Sequence, residues 1–112
     1  MKNKKRIFII HSLKLQSEAE KLERDLEELC YIPGRDTPQT NGQDILRANY
    51  FAMRDSKCRV YVIWDGQSQG TLFDMGMAYA LDKEIMPFIL TKGRSWVSYF
   101  EMNLKNPIRF RI

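Results

Sequence analysis

The spacing of hydrophobic and polar positions changes several times along the chain, which predicts strands that alternate with helices. A charged start gives way to the continuous apolar run Ile7–Ile10, a pattern typical of a buried strand. Over positions 15–29, apolar residues recur every three or four places between charged ones, which predicts an amphipathic helix. Residues 60–64 are β-branched or aromatic throughout and predict the strongest strand of the chain.

Weaker signals complete this alternation. A short strand over 31–33 is expected to end at Pro33 and Gly34, and Asn41 is placed to cap a second helix that runs to about 56. A third helix over 71–82, a strand over 85–90, a fourth helix over 95–104 and a last strand over 108–112 follow. Pro87 cannot donate to a ladder, so the fourth strand is expected to begin at Pro87 or to lie at an edge.

Alternating strands and helices predict right-handed crossovers and a parallel sheet. We therefore expect residues 1–112 to form one small flavodoxin-like (Rossmann-like) α/β domain, with a five-stranded, mainly parallel sheet and helices on both faces. Such folds bind ligands beyond the carboxyl ends of their strands. The polar residues and glycines expected at these ends are His11, Ser12, Gly34, Arg35, Asp36, Asp65, Ser68, Gly70, Thr71, Thr91 and Lys92.

The predicted third helix is apolar around nearly its whole circumference, and Asp74 is its only charged residue up to position 81. A helix without a polar face is covered on all sides, which predicts a homodimer or larger oligomer formed through this helix. Asp74 is either a capping-box carboxylate with Thr71 as N-cap, or a chemical group. Burial raises the pKa of such a carboxyl and a helix N-terminus lowers it, and the sequence does not decide which effect is larger. Gly76 is expected to allow close packing of the helix on the sheet.

The composition excludes several classes of protein. The chain is 44% hydrophobic and 29% charged, which is typical of a packed domain. No apolar run approaches the roughly 20 residues of a membrane span, and no signal peptide is evident. Two cysteines and one histidine fit neither a disulfide framework nor a zinc site, so we expect a reduced, cytoplasmic protein without a metal or other cofactor. The net charge of +4 is dispersed, so nucleic-acid binding is not expected.

The loop at 65–71, DGQSQGT, leads into the third helix. Backbone N–H groups at a helix N-terminus suit a phosphate or sugar hydroxyls, although an ordinary turn would have a similar composition. The loop matches neither the P-loop nor the dinucleotide-binding pattern.

Residues 60–81, VYVIWDGQSQGTLFDMGMAYAL, resemble the core motif of the nucleoside 2-deoxyribosyltransferase-like family, which includes nucleoside 5′-monophosphate N-glycosidases. That motif is a hydrophobic strand, a short loop with glycine, and a helix that begins G-T/L-x-x-E-x-G-x-A. The resemblance implies a five-stranded α/β domain, often oligomeric, that cleaves N-glycosidic bonds. A glutamate of that helix attacks the anomeric carbon in the family, and Asp74 stands at its position.

The resemblance also implies roles for the neighbouring residues. Ser68 stands where the nucleotide hydrolases have a phosphate-binding serine, and Gly70 and Thr71 match the start of the helix. Asn49 or Tyr50 replaces an acid of the second helix, and His11 and Ser12 replace small residues after the first strand. Aspartate in place of glutamate shortens the side chain by about 1.5 Å, which is large beside a tolerance of about 1 Å for attack.

Several alternatives remain open at this point. His11 is either a general acid or a loop histidine satisfied by backbone groups, and Arg35 with Asp36 is either an ion pair or a ligand contact. Asp65 either starts a turn or takes part in catalysis. The chain is an N-glycosidase or deoxyribosyltransferase, a non-catalytic nucleotide or nucleotide-sugar binding module, or an interaction domain. The enzyme hypothesis assigns catalysis to Asp74, Asp65 and Asp36, and binding of a nucleoside or nucleotide to His11, Ser12, Arg35, Asn49, Ser68, Gly70 and Thr71.

Overall fold

A computed structural model describes residues 5–55, 57–64, 68–90 and 108–110, of which 89–90 and 108–110 are described as backbone only. Strands and helices alternate along most of it. The elements are β1 (Ile7–Ile10), a 3-10 helix (Leu13–Leu15), α1 (Gln16–Leu26), β2 (Cys30–Tyr31), α2 (Pro33–Asp36), α3 (Gly42–Met53), β3 (Arg59–Trp64), α4 (Gln69–Ala80), β4 (Ile85–Leu90) and β5 (Ile108–Phe110).

All described strand pairs are parallel, and the strand order is β2-β1-β3-β4-β5. The predicted α/β class with a parallel sheet is therefore confirmed. Among the strands for which any side chains are described, the sheet has four, β1 to β4, rather than the expected five, and β5 is described as backbone only. The backbone of β5 pairs with β4 only from Phe88 onward, so at Pro87 the strand β4 has only β3 beside it among the described residues. The strand β4 begins at Ile85, so the expectation that it begins at Pro87 is wrong.

The two sides of the sheet bury different helices. On one face, side chains of β1 and β3 pack with α3 and α4 in a cluster that includes Phe8, Ile10, Val60, Val62, Met53, Met75 and Ala78. On the other face the cluster joins the same strands to α1 and includes Ile7, Ile9, Tyr61, Ile63, Ala19 and Leu22. Alternate residues of one strand point to opposite faces, so β1 and the part of β3 from Val60 to Trp64 lack charged residues because both of their faces are covered.

The helix boundaries differ locally from those predicted. Asn41 does cap α3, because its side chain accepts a hydrogen bond from the Asp44 N–H at 3.0 Å, but the helix ends at Met53. Pro33 and Gly34 do not simply end a strand, since Pro33 occupies the first turn of the short helix α2, where its missing N–H costs nothing.

The helix α4 starts earlier than predicted, and the described part of this one chain does not cover it on all sides. Its N-cap is Ser68 rather than Thr71, because Ser68 Oγ accepts from the Thr71 N–H at 3.1 Å. Phe73 and Tyr79 are exposed, Tyr79 by 80%. A Cβ on Gly76 would meet nothing within 4 Å, so the expectation that Gly76 allows close packing on the sheet is wrong. Among the described residues, no helix has the length and apolar character that a membrane span requires.

Candidate functional site

A cavity of about 500 Å³ lies where the carboxyl end of β1 meets the amino end of α4. Its volume is within the range of small-molecule sites, roughly 300–1,000 Å³. Its walls come from the segment after β1, from α2 and the loop after it, from α3 and from α4. They consist of His11, Ser12, Leu13, Pro33, Gly34, Gln39, Gly42, Ile45, Leu46, Asn49, Ser68, Gln69, Gly70, Thr71, Phe73 and Asp74.

Asp74 places a buried carboxylate in the wall of this cavity. Because α4 begins at Gln69, Asp74 lies in the second turn and is too far along the helix to cap it, so the capping-box interpretation is wrong. Its side chain accepts no hydrogen bond from the residues that the structure describes, and the residue is only 9% exposed. Burial raises the pKa of Asp74 from 3.8 to about 6, which answers the question that the sequence left open.

The start of α4 supplies hydrogen-bond donors next to this carboxylate. Ser68 Oγ satisfies the Thr71 N–H, whereas the N–H groups of Gln69 and Gly70 have no acceptor within the helix. The Thr71 hydroxyl is fully buried and has no partner among the described residues. These groups form a helix N-terminus that opens into the cavity, an arrangement that suits an anionic or hydroxyl-rich ligand group.

His11 is held by backbone groups on both of its ring nitrogens. Nδ1 lies 2.7 Å from the Ser12 carbonyl oxygen, and Nε2 accepts from the Gly34 N–H at 3.2 Å. Burial lowers the pKa of His11, so the ring is neutral with its proton on Nδ1. The structure thus favours the backbone-satisfied alternative over a general acid. Gly34 is required here, since a Cβ would lie 2.9 Å from His11 Cε1 and would also meet the side-chain oxygen of Gln16.

Two further predicted residues line the cavity beside His11. Ser12 contributes a buried hydroxyl with no partner in the described part of the chain. Asn49 is 3% exposed and accepts a 2.7 Å hydrogen bond from the Thr37 hydroxyl. Tyr50 is 37% exposed and does not line the cavity, so Asn49 is the residue at the position where the resemblance places an acid.

Arg35 and Asp36 do not line the cavity. Arg35 bonds Glu23 at 2.7 Å and Asp36 at 2.9 Å, and Lys5 lies 3.1 Å from Asp36. Burial by itself would raise the pKa of Asp36, but hydrogen bonds from Arg35, from the Ile32 N–H and from Lys5 lower it to about 2. The structure therefore favours the ion-pair alternative for both residues. Asp65, Thr91 and Lys92 lie outside the described residues.

Sequence reasoning missed the apolar side of the cavity. Leu13 and Phe73, which are 66% and 55% exposed, line the cavity together with Ile45 and Leu46 of α3. An aromatic ring at the cavity wall suits the flat face of a base. The one available signal was that Phe73 directly precedes Asp74 on an early turn of a helix. Within the described residues, no three His, Cys, Asp or Glu side chains lie close enough together to hold a metal ion.

Comparison with solved structures places this architecture among known proteins. The chain is similar to the CMP N-glycosidase BcmB of Clostridium botulinum, with a TM-score of 0.64, 20% sequence identity, and coverage of 96% of this chain and 88% of that one. No protein-family model and no curated protein sequence matches the chain. At this level of identity the likeness establishes the fold alone, which is a small α/β domain with a parallel sheet.

Proposed function

We propose that this chain cleaves the N-glycosidic bond of a nucleoside 5′-monophosphate, with Asp74 as the nucleophile. The observation that carries the proposal is the buried Asp74 carboxylate, unpaired among the described residues, in the wall of a nucleotide-sized cavity. With a pKa of about 6, Asp74 is about 90% ionised at neutral pH. Such a carboxylate is poorly solvated, which favours its attack on an electrophilic carbon.

The reaction follows the double displacement of retaining glycosyl transfer. A carboxylate oxygen of Asp74 bonds to the anomeric carbon while the carbon–nitrogen bond breaks, and the base leaves with the electron pair and takes a proton from water. Water then attacks the anomeric carbon of the glycosyl ester, which releases the sugar phosphate and a proton and regenerates the carboxylate. If a second base replaces water, the same intermediate gives transfer in place of hydrolysis.

The N-terminus of α4 supports a phosphorylated ligand. Ser68, Gly70 and Thr71 lie at this positive helix end, within the cavity that also contains Asp74. The cavity is also lined by Phe73 of α4 and Leu46 of α3, whose apolar side chains suit a base. The similar fold of an enzyme named for CMP supports the same class of ligand. His11, Ser12 and Asn49 complete the proposed binding residues.

The test is base release by chromatography over a panel of nucleosides and their 5′-monophosphates. Wild type should release base, with the monophosphates as better substrates, and Asp74→Ala should release none. Asp82→Asn is the matched control, since Asp82 is an exposed carboxylate just beyond the end of the same helix and its φ of 60° suits asparagine. Equal release by wild type and Asp74→Ala would show that another group is the nucleophile.

A non-catalytic nucleotide-binding module is the second candidate. It is favoured by the neutral Asn49 where the resemblance places an acid, and by the engagement of both His11 nitrogens. Neither residue can give a proton to a leaving base as it stands. This alternative predicts thermal stabilisation by nucleotides without turnover, and stabilisation of similar size in Asp74→Asn.

The same proposal includes a homo-oligomer assembled through α4 and a cytoplasmic location. The exposed face of α4 carries Leu72, Phe73 and Tyr79 and no charged residue, a composition that suits a second copy of the chain. We expect sedimentation to show a dimer or larger species that dissociates in Tyr79→Asp. A wild-type protein that sediments as a monomer would remove this part of the proposal.

A further inference from the structure

Three side chains form a directed hydrogen-bond chain that ends at the cavity. The Tyr31 hydroxyl lies 2.6 Å from Thr37 Oγ1, and Thr37 Oγ1 donates to Asn49 Oδ1 at 2.7 Å. A hydroxyl has only one proton to donate. Because Thr37 gives its proton to Asn49, Tyr31 donates to Thr37 at 2.6 Å, and the 3.5 Å contact of the Tyr31 hydroxyl with the Asp36 carbonyl oxygen is the longer of the two contacts open to its proton.

This chain fixes the orientation of the Asn49 side-chain amide. Thr37 and Asn49 are each 3% exposed, so the hydrogen bond between them is shielded from water. With Oδ1 occupied by Thr37, the Nδ2 group of Asn49 has no acceptor among the described residues. Unlike the hydroxyls of Ser12 and Thr71, this nitrogen is not sealed from solvent, and Asn49 lines the cavity. The cavity wall therefore presents an N–H donor at this point that has no acceptor in the part of the chain that the structure describes.

We propose that Asn49 is a specificity-determining donor to the ligand and that Thr37 and Tyr31 are its positioning residues. The proposal rests on the proposed function, since it assumes that the cavity binds a nucleotide. The ligand must then carry a hydrogen-bond acceptor opposite Asn49, either a carbonyl oxygen or ring nitrogen of the base or a hydroxyl oxygen of the sugar. An amide N–H keeps its proton, so Asn49 orients and polarises the ligand and does not protonate a leaving base.

The hydroxyl of Thr37 can be removed by substitution without disturbing the other contact of this residue, which is made by its backbone. Gln39, which also lines the cavity, donates from Nε2 to the Thr37 carbonyl oxygen at 2.8 Å and to the Pro33 carbonyl oxygen at 3.2 Å. Both acceptors are backbone atoms, so Thr37→Val leaves the Gln39 contacts in place. The substitution keeps the shape of the side chain and removes only the hydroxyl that orients Asn49.

The test measures binding of CMP, cytidine and ribose 5-phosphate by calorimetry, in an Asp74→Asn background that prevents turnover. Asn49→Asp replaces the donor by an acceptor of the same shape and should weaken CMP binding about tenfold or more. Cytidine carries no phosphate, so an equal loss for cytidine excludes simple charge repulsion. If ribose 5-phosphate shows the same loss, the acceptor is on the sugar, and if it does not, the acceptor is on the base.

The positioning role of Thr37 is tested by the CMP affinity of two Thr37 variants. Thr37→Val should weaken CMP binding by a smaller factor, about threefold, because the freed amide spends part of its time reversed, and Thr37→Ser should restore the affinity. Unchanged CMP affinity in Asn49→Asp overturns the inference alone, and equal losses in Thr37→Val and Thr37→Ser overturn the positioning role. If the Asp74→Asn protein binds none of the three ligands, the proposed function fails and this inference fails with it.

Discussion

Replacing Asp74 by asparagine should make the protein more stable at neutral and alkaline pH while it removes the nucleophile. The carboxyl has a pKa of 3.8 in the unfolded chain and of about 6 in the folded one. The folded state therefore binds this proton more tightly than the unfolded state does. The contribution of the protonated Asp74 carboxyl to the free energy of unfolding is complete below pH 3.8 and is lost as the pH rises through 6.

The size of the effect follows from the pKa difference. A rise from 3.8 to about 6 makes the ionised carboxylate cost the folded state about 3 kcal/mol, at about 1.4 kcal/mol per pKa unit. Most of this cost, about 2 to 2.5 kcal/mol, develops between about pH 4 and about pH 8. Asparagine has nearly the same shape and no charge, so the variant avoids the cost. For a domain of this size the gain is about 10 °C in Tm at the alkaline end.

The assay is urea unfolding of wild type, Asp74→Asn and Asp82→Asn at about pH 4 and about pH 8. The difference in free energy of unfolding between wild type and a variant at one pH cancels the contributions of the other titrating groups. The change in that difference from about pH 4 to about pH 8 cancels the pH-independent effect of replacing a carboxylic acid by an amide. The remaining value should be about 2 to 2.5 kcal/mol for Asp74, and Asp82→Asn controls for the general effect of replacing a carboxylate by an amide. If Asp74→Asn follows wild type at both pH values, the carboxylate is solvated or paired, and our account of the site is wrong.

Three further predictions concern the same cavity. Gly34→Ala should lower the free energy of unfolding in urea by about 1–3 kcal/mol, because the new methyl group meets the His11 ring. Gly76→Ala has open space around it and should raise the free energy of unfolding by about 0.5–1 kcal/mol. Equal effects of the two substitutions would contradict the His11–Gly34 contact. Ser68→Asp keeps an acceptor for the helix cap but adds a negative charge. The Tm should therefore change little, while calorimetry should show that CMP binding is weakened more than cytidine binding. Equal losses of affinity for both ligands would show that the phosphate does not bind at this end of α4. The rate of base release should increase as the pH rises through about 6, where Asp74 ionises; a rate that decreases over this range would make Asp74 an acid in place of a nucleophile.

The fold was predictable because its strongest signals are local. Apolar runs such as Ile7–Ile10 stand out because strands covered on both faces have no polar positions. The rule that ligands bind beyond strand ends then selected His11, Ser12 and the start of α4, all of which line the cavity. Element ends were less predictable, as at α4, where Ser68 and Thr71 are both good caps and only the three-dimensional path of the chain decides between them.

The rest of the site depends on contacts between residues that are distant in sequence. Arg35 was a candidate ligand contact, yet its partner Glu23 lies on α1, and no local pattern indicates that ion pair. The orientation of Asn49 depends on Thr37, twelve positions earlier, through a loop whose path the sequence does not specify. The raised pKa of Asp74 likewise depends on how completely the packed domain excludes water from one helix turn.

The most direct test of the nucleophile is an NMR time course of a nucleoside 5′-monophosphate with the protein in the presence of methanol. A glycosyl ester on Asp74 predicts free base together with a methyl glycoside that retains the configuration of the substrate, and neither product with Asp74→Ala. Inverted product, or the same products from Asp74→Ala, would contradict the assignment of Asp74. No base release from wild type would favour the binding module in place of the enzyme.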